Sequence, residues 1–213
     1  MYLRELFLNE DDRSTAVFAF GRFNPPTIGH EKLINKVQQV AAKVNGKAYI
    51  FLSHTDGTAK DPIDFTTKLS YLRQHFQSDS KLSFGDIRAN TIIKVMKVLE
   101  QEGRTKVIMV AGDDRVMEFQ KLLNQYNGKP TKAGNVEYTF DSIQVVSAGQ
   151  RDPDASDITG VSASKARELA MKGQEHEFSK IIMGGDKGKV LYDKIQDRFG
   201  KEVDENNKKL YNE

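Results

Sequence analysis

Two short stretches of this chain combine residue types and spacings suited to holding phosphate. The first is GRFNPPTIGH, residues 21–30, where two glycines, two prolines, a threonine and a histidine fall together. Gly21 and Gly29 let backbone approach a ligand, and Pro25 and Pro26 stiffen the path between them. A helix that starts near His30 would aim its first amides at the same spot, and a helix amino terminus favours anions. Taken alone, the loop reads equally well as an ordinary strand-to-helix turn with a histidine first in its helix. The second stretch is ITGVSASKAR, residues 158–167, which sets Ser162, Ser164, Lys165 and Arg167 around the start of another helix. Hydroxyls, free amides and two cations converge there. By itself this is also what a capped helix with solvated basic residues looks like. Two such loops in one chain point to a shared anion site.

The elements around them must put both loops on one edge. STAVFAF (14–20), KAYIFLS (47–53), KLSF (81–84), KVIMVAG (106–112) and SIQVVSA (142–148) read as strands. Between them lie helical patterns. Leu33, Ile34, Val37, Val40, Ala41 and Val44 recur at helical spacing. Asp64 caps a helix over 64–76, Asn90 and Gly103 bracket a third, and a fourth runs from about Asp114 to Asn124. A fifth follows over 162–173. KVIMVAG is almost unbroken in its apolar character, as expected of a strand covered on both faces. The alternation predicts an α/β fold: Rossmann-like, doubly wound, with a mainly parallel five-stranded sheet and helices on both faces. Such sheets bind ligands outside the carboxyl ends of their strands, where residues 21–30 fall. Residues 1–183 are expected to form this domain. Residues 184–213 are expected to add a short amphipathic helix, VLYDKIQDRFG, and a charged, frayed tail.

Composition narrows the chemistry. The chain has 213 residues, 38% of them hydrophobic, a net charge of +2 and no cysteine. That charge is too even for a chain devoted to nucleic acid, so no nucleic-acid partner is expected. No apolar run reaches the roughly 20 residues of a membrane span, and the amino terminus is too acidic for a secretory signal, so a cytoplasmic location and no membrane partner are expected. Without cysteine there is neither a thiol nucleophile nor a thiolate metal site. No spacing of histidines and acids suits zinc.

Read jointly, the two stretches resemble the nucleotidylyltransferase superfamily, which carries an HxGH or TxGH motif after its first strand and an ISSTxxR motif before a late helix. TIGH, Thr27–His30, stands in the first motif, preceded by the family's glycine, aromatic residue and proline. VSASKAR, Val161–Arg167, fits the second, with alanine in its third place and serine in its fourth. VAGDD (110–114) resembles the segment ending the fourth strand in the adenylyltransferase branch. Together these span roughly residues 15–183.

The resemblance implies transfer of a nucleoside monophosphate from a triphosphate to a phosphate-bearing acceptor, with release of pyrophosphate. His30, Thr27 and Arg167 would be catalytic. Gly21, Arg22, Phe23, Asn24, Gly29, Ser162 and Ser164 would bind the nucleotide's phosphates, and Gly112 and Asp114 its ribose. Arg22 resembles the GRF form of archaeal-type enzymes and would either reach a phosphate or stack at the surface. His54, Lys60 and Lys68 lie where the superfamily often keeps acceptor contacts; as sequence, Lys68 reads more simply as a solvated lysine and His54 as a polar loop residue. His75 and His176, in helices, have no partner nearby in sequence. Magnesium would be bound through phosphates, with no protein side chain as metal ligand. ATP with an acceptor such as nicotinamide mononucleotide, hence NAD biosynthesis, is the first expectation. Cytidylyl transfer from CTP is the second, and a non-catalytic nucleotide-binding protein the third. A homo-oligomer fits any of these.

Overall fold

The computed structural model describes residues 14–149 and 162–210. They divide into two compact units. The first contains the described residues up to Gly21, Lys32–Ser53, and the described residues from Phe76 onward to 149. The second contains Arg22–Glu31, His54–His75 and the described residues from 162.

The first unit is built on five parallel strands, β1 (Thr15–Gly21), β2 (Lys47–Leu52), β3 (Leu82–Phe84), β4 (Lys106–Ala111) and β5 (Ser142–Ser147), in the order β3-β2-β1-β4-β5. β1 pairs with β2 from Ala16↔Lys47 to Gly21↔Leu52, and the Ser53 amide continues the ladder onto the Gly21 carbonyl at 2.8 Å. The strands form here because their apolar residues serve two faces at once. Ala16, Phe18, Tyr49, Phe51, Val107 and Met109 pack into one cluster. Their neighbours Val17, Ala19, Ile50, Leu52 and Val110 are equally buried, and the two-residue period of a strand turns them to the opposite face.

The helices follow from their own apolar spacing. α3 (Ile92–Gln101) places Val95, Met96 and Leu99 in the Phe18 cluster, and α4 (Val116–Tyr126) adds Leu123. Right-handed crossovers in this strand order put α1 (Ile28–Lys43) on the other face, where its Ile34, Val37 and Ala41 are buried. This is the doubly wound α/β sheet that the alternation predicts. Local boundaries differ from the sequence reading by a residue or two. The cap of α3 is Thr91, whose hydroxyl accepts from the Lys94 amide, rather than Asn90. A single 3-10 turn, Asp113–Arg115, precedes α4.

The second unit is helical. It holds the first turn of α1, then α2 (Phe65–His75), α5 (Ala163–Met171), α6 (Glu175–Ile181) and α7 (Lys189–Leu210). Leu72, Ala166, Phe178, Ile182 and Leu191 are buried in it, and the Phe178 and Tyr192 rings meet edge to face at 5.3 Å. α7 corrects one expectation: instead of a short helix and a frayed tail, the helix continues to Leu210. Its one interruption, Gly200, costs about 1 kcal/mol relative to alanine, and the lysines and glutamates beyond it are good helix formers. Among the described residues no helix is long and apolar enough to cross a membrane.

Candidate active site

Every group of the central cluster belongs to the second unit, whose loop Arg22–Thr27 leads out of β1 and into α1. Thr27 starts the helix. Its carbonyl accepts from the amides of His30 at 2.8 Å and Glu31 at 3.1 Å, so the helix opens two residues earlier than a start at His30. The Thr27 amide donates to His30 Nδ1 at 3.0 Å, and the Thr27 hydroxyl lies 2.9 Å from the same nitrogen. A main-chain N–H can only donate, so Nδ1 accepts, and the neutral imidazole carries its proton on Nε2. Thr27 thereby makes His30 a hydrogen-bond donor through Nε2. The Phe23 ring packs on the imidazole with centroids 4.7 Å apart.

The loop is held on several sides. Asn24, almost fully buried, behaves as a second strand of backbone: its Nδ2 donates to the Ile63 carbonyl at 2.8 Å, and its Oδ1 accepts from the Ile63 amide at 3.1 Å. The Asn24–Pro25 bond is cis. Thr27 bridges to Ile182, and the Met183 amide donates to the Pro26 carbonyl at 3.3 Å. Phe23, with φ +48°, sits in the left-handed region, a costly conformation for a bulky side chain and one that only surrounding contacts can maintain.

Arg167 joins the two motifs. Its Nη1 donates to the Asn24 carbonyl at 2.7 Å and its Nη2 to Ser164 Oγ at 3.0 Å. Burial lowers its pKa, with the Arg22 charge adding to this and Asp61 opposing it. A guanidinium keeps its charge regardless. Ser162 is the cap of α5, its hydroxyl accepting from the Lys165 amide at 3.1 Å. Of the motif Val161–Arg167, Val161 lies outside the described residues, as do 158–160.

Cations and acids surround this cluster, and Asp61 is buried among them. Arg22 is 60% exposed, with Nη1 3.7 Å from Oδ2 of the buried Asp61. Asp61 Oδ1 is buried without a hydrogen-bond partner among the described residues. Lys68 is fully buried and donates through Nζ to the Arg22 carbonyl at 3.0 Å. This corrects the reading of a solvated lysine: at its place in α2 the side chain turns inward. Burial lowers its pKa, against the pull of Asp61, Asp56 and Asp64. His54 is half-buried with its ring 3.9 Å from that of Phe65, and Lys60 is exposed. His75 has a partner distant in sequence, since its Nε2 lies 3.2 Å from Glu31 Oε1. His176 is exposed on α6.

Gly21, Gly112 and Asp114 lie in the first unit. Gly112 follows β4, and a Cβ there would stand 2.8 Å from Asp114 Oδ1, so the glycine lets the carboxylate fold back over the turn. Among the described residues no group of three histidines or acids could hold a metal ion. Sequence reasoning missed Asp61. The KDP tripeptide, whose acid is one of three aspartates within residues 56–64, gave no sign of burial.

No known family profile and no curated protein matches the chain. Solved structures do. Nicotinic acid mononucleotide adenylyltransferase of Plasmodium falciparum, complexed with NaAD, aligns with a TM-score of 0.58 and 13% identity, over 86% of this chain and 95% of that one. The same enzyme complexed with APC aligns with a TM-score of 0.57 and 13% identity, over 86% and 94%. The chain shares the fold of an adenylyltransferase. At this identity the likeness is one of fold, and it agrees with the α/β architecture expected from the alternation of strands and helices.

Proposed function

We propose that the protein is a nucleotidylyltransferase that transfers AMP from ATP to a phosphate-bearing acceptor of the pyridine mononucleotide type. The observation that carries this reading is the hydrogen bond from Arg167 to the Asn24 carbonyl, across 143 residues of sequence. It gathers TIGH and SASKAR into one cluster of donors and cations. The adenylyl choice is supported by the solved neighbours, an adenylyltransferase complexed with NaAD and with APC.

The chemistry follows from these groups. An acceptor phosphate oxygen attacks the α-phosphorus; a new P–O bond forms, the bond from that phosphorus to the α,β-bridging oxygen breaks, and pyrophosphate leaves with the electron pair. The acceptor is its own nucleophile, so the protein supplies position and charge. His30 Nε2–H donates to the α-phosphate oxygens as charge builds there. Arg167, Ser164 and the amides at the start of α5 hold the leaving pyrophosphate, and Arg22 adds a mobile positive charge. With Arg22, Lys68 and Arg167 near the buried Asp61, the cluster carries net positive charge that suits an anion. Magnesium brought with the nucleotide would supply further charge neutralisation.

A panel of the four nucleoside triphosphates with magnesium, against nicotinamide and nicotinic acid mononucleotides and phosphorylated sugars and alcohols, tests the reading through pyrophosphate release. ATP with a pyridine mononucleotide is expected to be the productive pair. Preference for CTP would move the protein to the cytidylyl class, and triphosphate binding without turnover on any acceptor would leave a binding protein.

A further inference from the structure

Two carbonyls of the loop, those of Arg22 and Asn24, each accept a hydrogen bond from a cation, Lys68 at 3.0 Å and Arg167 at 2.7 Å. The residue between them is Phe23, left-handed at φ +48°, fully buried, its ring on His30. These facts are connected. The direction of the Arg22–Phe23 peptide and the sign of φ at Phe23 change together, because flipping a peptide unit turns ψ of the residue before it and φ of the residue after it by about half a turn. A flip here would release Phe23 from a costly conformation. It would also take the Arg22 carbonyl away from the Lys68 ammonium. That ammonium is buried at an electrostatic cost, opposed by the nearby acids. An apolar side chain of similar length would fill the same space without that cost, so what Lys68 adds is its charge and its hydrogen bonding, the bond to the Arg22 carbonyl included.

We propose that Lys68 is a positioning residue for the transfer: its ammonium locks the Arg22–Phe23 peptide, which keeps Phe23 left-handed and its ring against His30. Lys68 thus acts on the reaction through the loop, without touching the acceptor. The catalytic consequence rests on the nucleotidylyltransferase reading above, while the conformational one does not. Asp61, buried beside the same cations, is the counter-charge that makes a buried ammonium tolerable here.

The test compares the full chain with Lys68→Met and Lys68→Arg by two readouts. The first is proton NMR of the His30 ring, assigned by loss of its signals in His30→Ala among only four histidines; the Phe23 ring current marks these signals. Lys68→Met is expected to move them toward the positions of an unstacked imidazole, and Lys68→Arg to keep them near the native ones. The second is turnover. Lys68→Met is expected to lower kcat by about 10- to 100-fold, the scale of misplacing a reacting group, with acceptor KM within about twofold of native. Lys68→Arg should recover most of the loss. If Lys68→Met alone does not fold, the double variant with Asp61→Asn removes both buried charges and reads the same resonances. Unchanged His30 signals in the apolar variant would overturn the proposal. So would a raised acceptor KM at unchanged kcat, or shifted signals with unchanged kcat. If the native protein turns over no acceptor at all, the enzymatic reading fails, and the NMR comparison still judges the lock.

Discussion

His30 and Arg167 divide the work at the level of single side chains. His30 is aimed by Thr27, whose amide occupies Nδ1, and by Phe23, which packs on the ring. Arg167 bridges Asn24 and Ser164 and so organises the loop; in the proposed reaction it would also offer charge to the leaving group. Arg167→Lys keeps the charge and loses the two-handed geometry. Both it and Arg167→Ala are expected to weaken ATP binding by tenfold or more while changing AMP binding little, as titration calorimetry would read; equal losses for both nucleotides would contradict a leaving-group role. Thr27, His30, Ser164 and Arg167 stood out in the sequence as candidates because their motifs are local, and the structure shows the contacts Thr27–His30 and Arg167–Ser164. Asn24 was not. Its amide pairs with Ile63, 39 residues away, and nothing local to either residue announces the contact. Lys68 was misread as solvated for a related reason, since a lysine in a helix next to polar residues carries no mark of the carbonyl that awaits it.

Among the elements, α2 shows how a site is supported from outside. Asp64 caps it, its carboxylate accepting from the Thr67 amide at 2.8 Å and hydroxyl at 2.7 Å. Burial pushes the Asp64 carboxyl up, yet these bonds and Lys194 outweigh it and hold the group below its ordinary value. A folded pKa below the unfolded one means stability that is present above the unfolded value and is lost as pH falls through the folded one. Asp64→Ala is expected to cost about 1 kcal/mol at neutral pH, the usual size of a lost cap. In urea titrations the difference from native should shrink as pH falls below the ordinary carboxyl value of about 4 and towards the lower native one; a difference independent of pH would mean that the carboxylate charge contributes nothing. This cap was readable because Asp64 precedes a clear apolar period. The end of α7 was not, since a run of lysine, glutamate and asparagine supports helix and tail alike.

For the molecule as a whole, the parallel sheet was the most legible part. KVIMVAG and STAVFAF each bury two faces, and only a strand between two layers of helix does that. The division into two units was not legible, because the second draws on three separated stretches of chain and leaves no single seam in the sequence. The fold likeness, at 13% identity, spans most of both chains. Against that background, the gathering of TIGH and SASKAR into one cluster is the central claim. The most direct measurement is transfer of label from ATP carrying radioactive α-phosphate to a pyridine mononucleotide acceptor, in the native protein and in His30→Ala. The label should appear in the dinucleotide product, with unlabelled pyrophosphate released. His30→Ala should slow this by roughly 100-fold or more while binding ATP almost as well, the scale of losing one donor to the transition state. Label that stays on ATP with every acceptor, or a His30→Ala variant as fast as the native protein, would contradict the account.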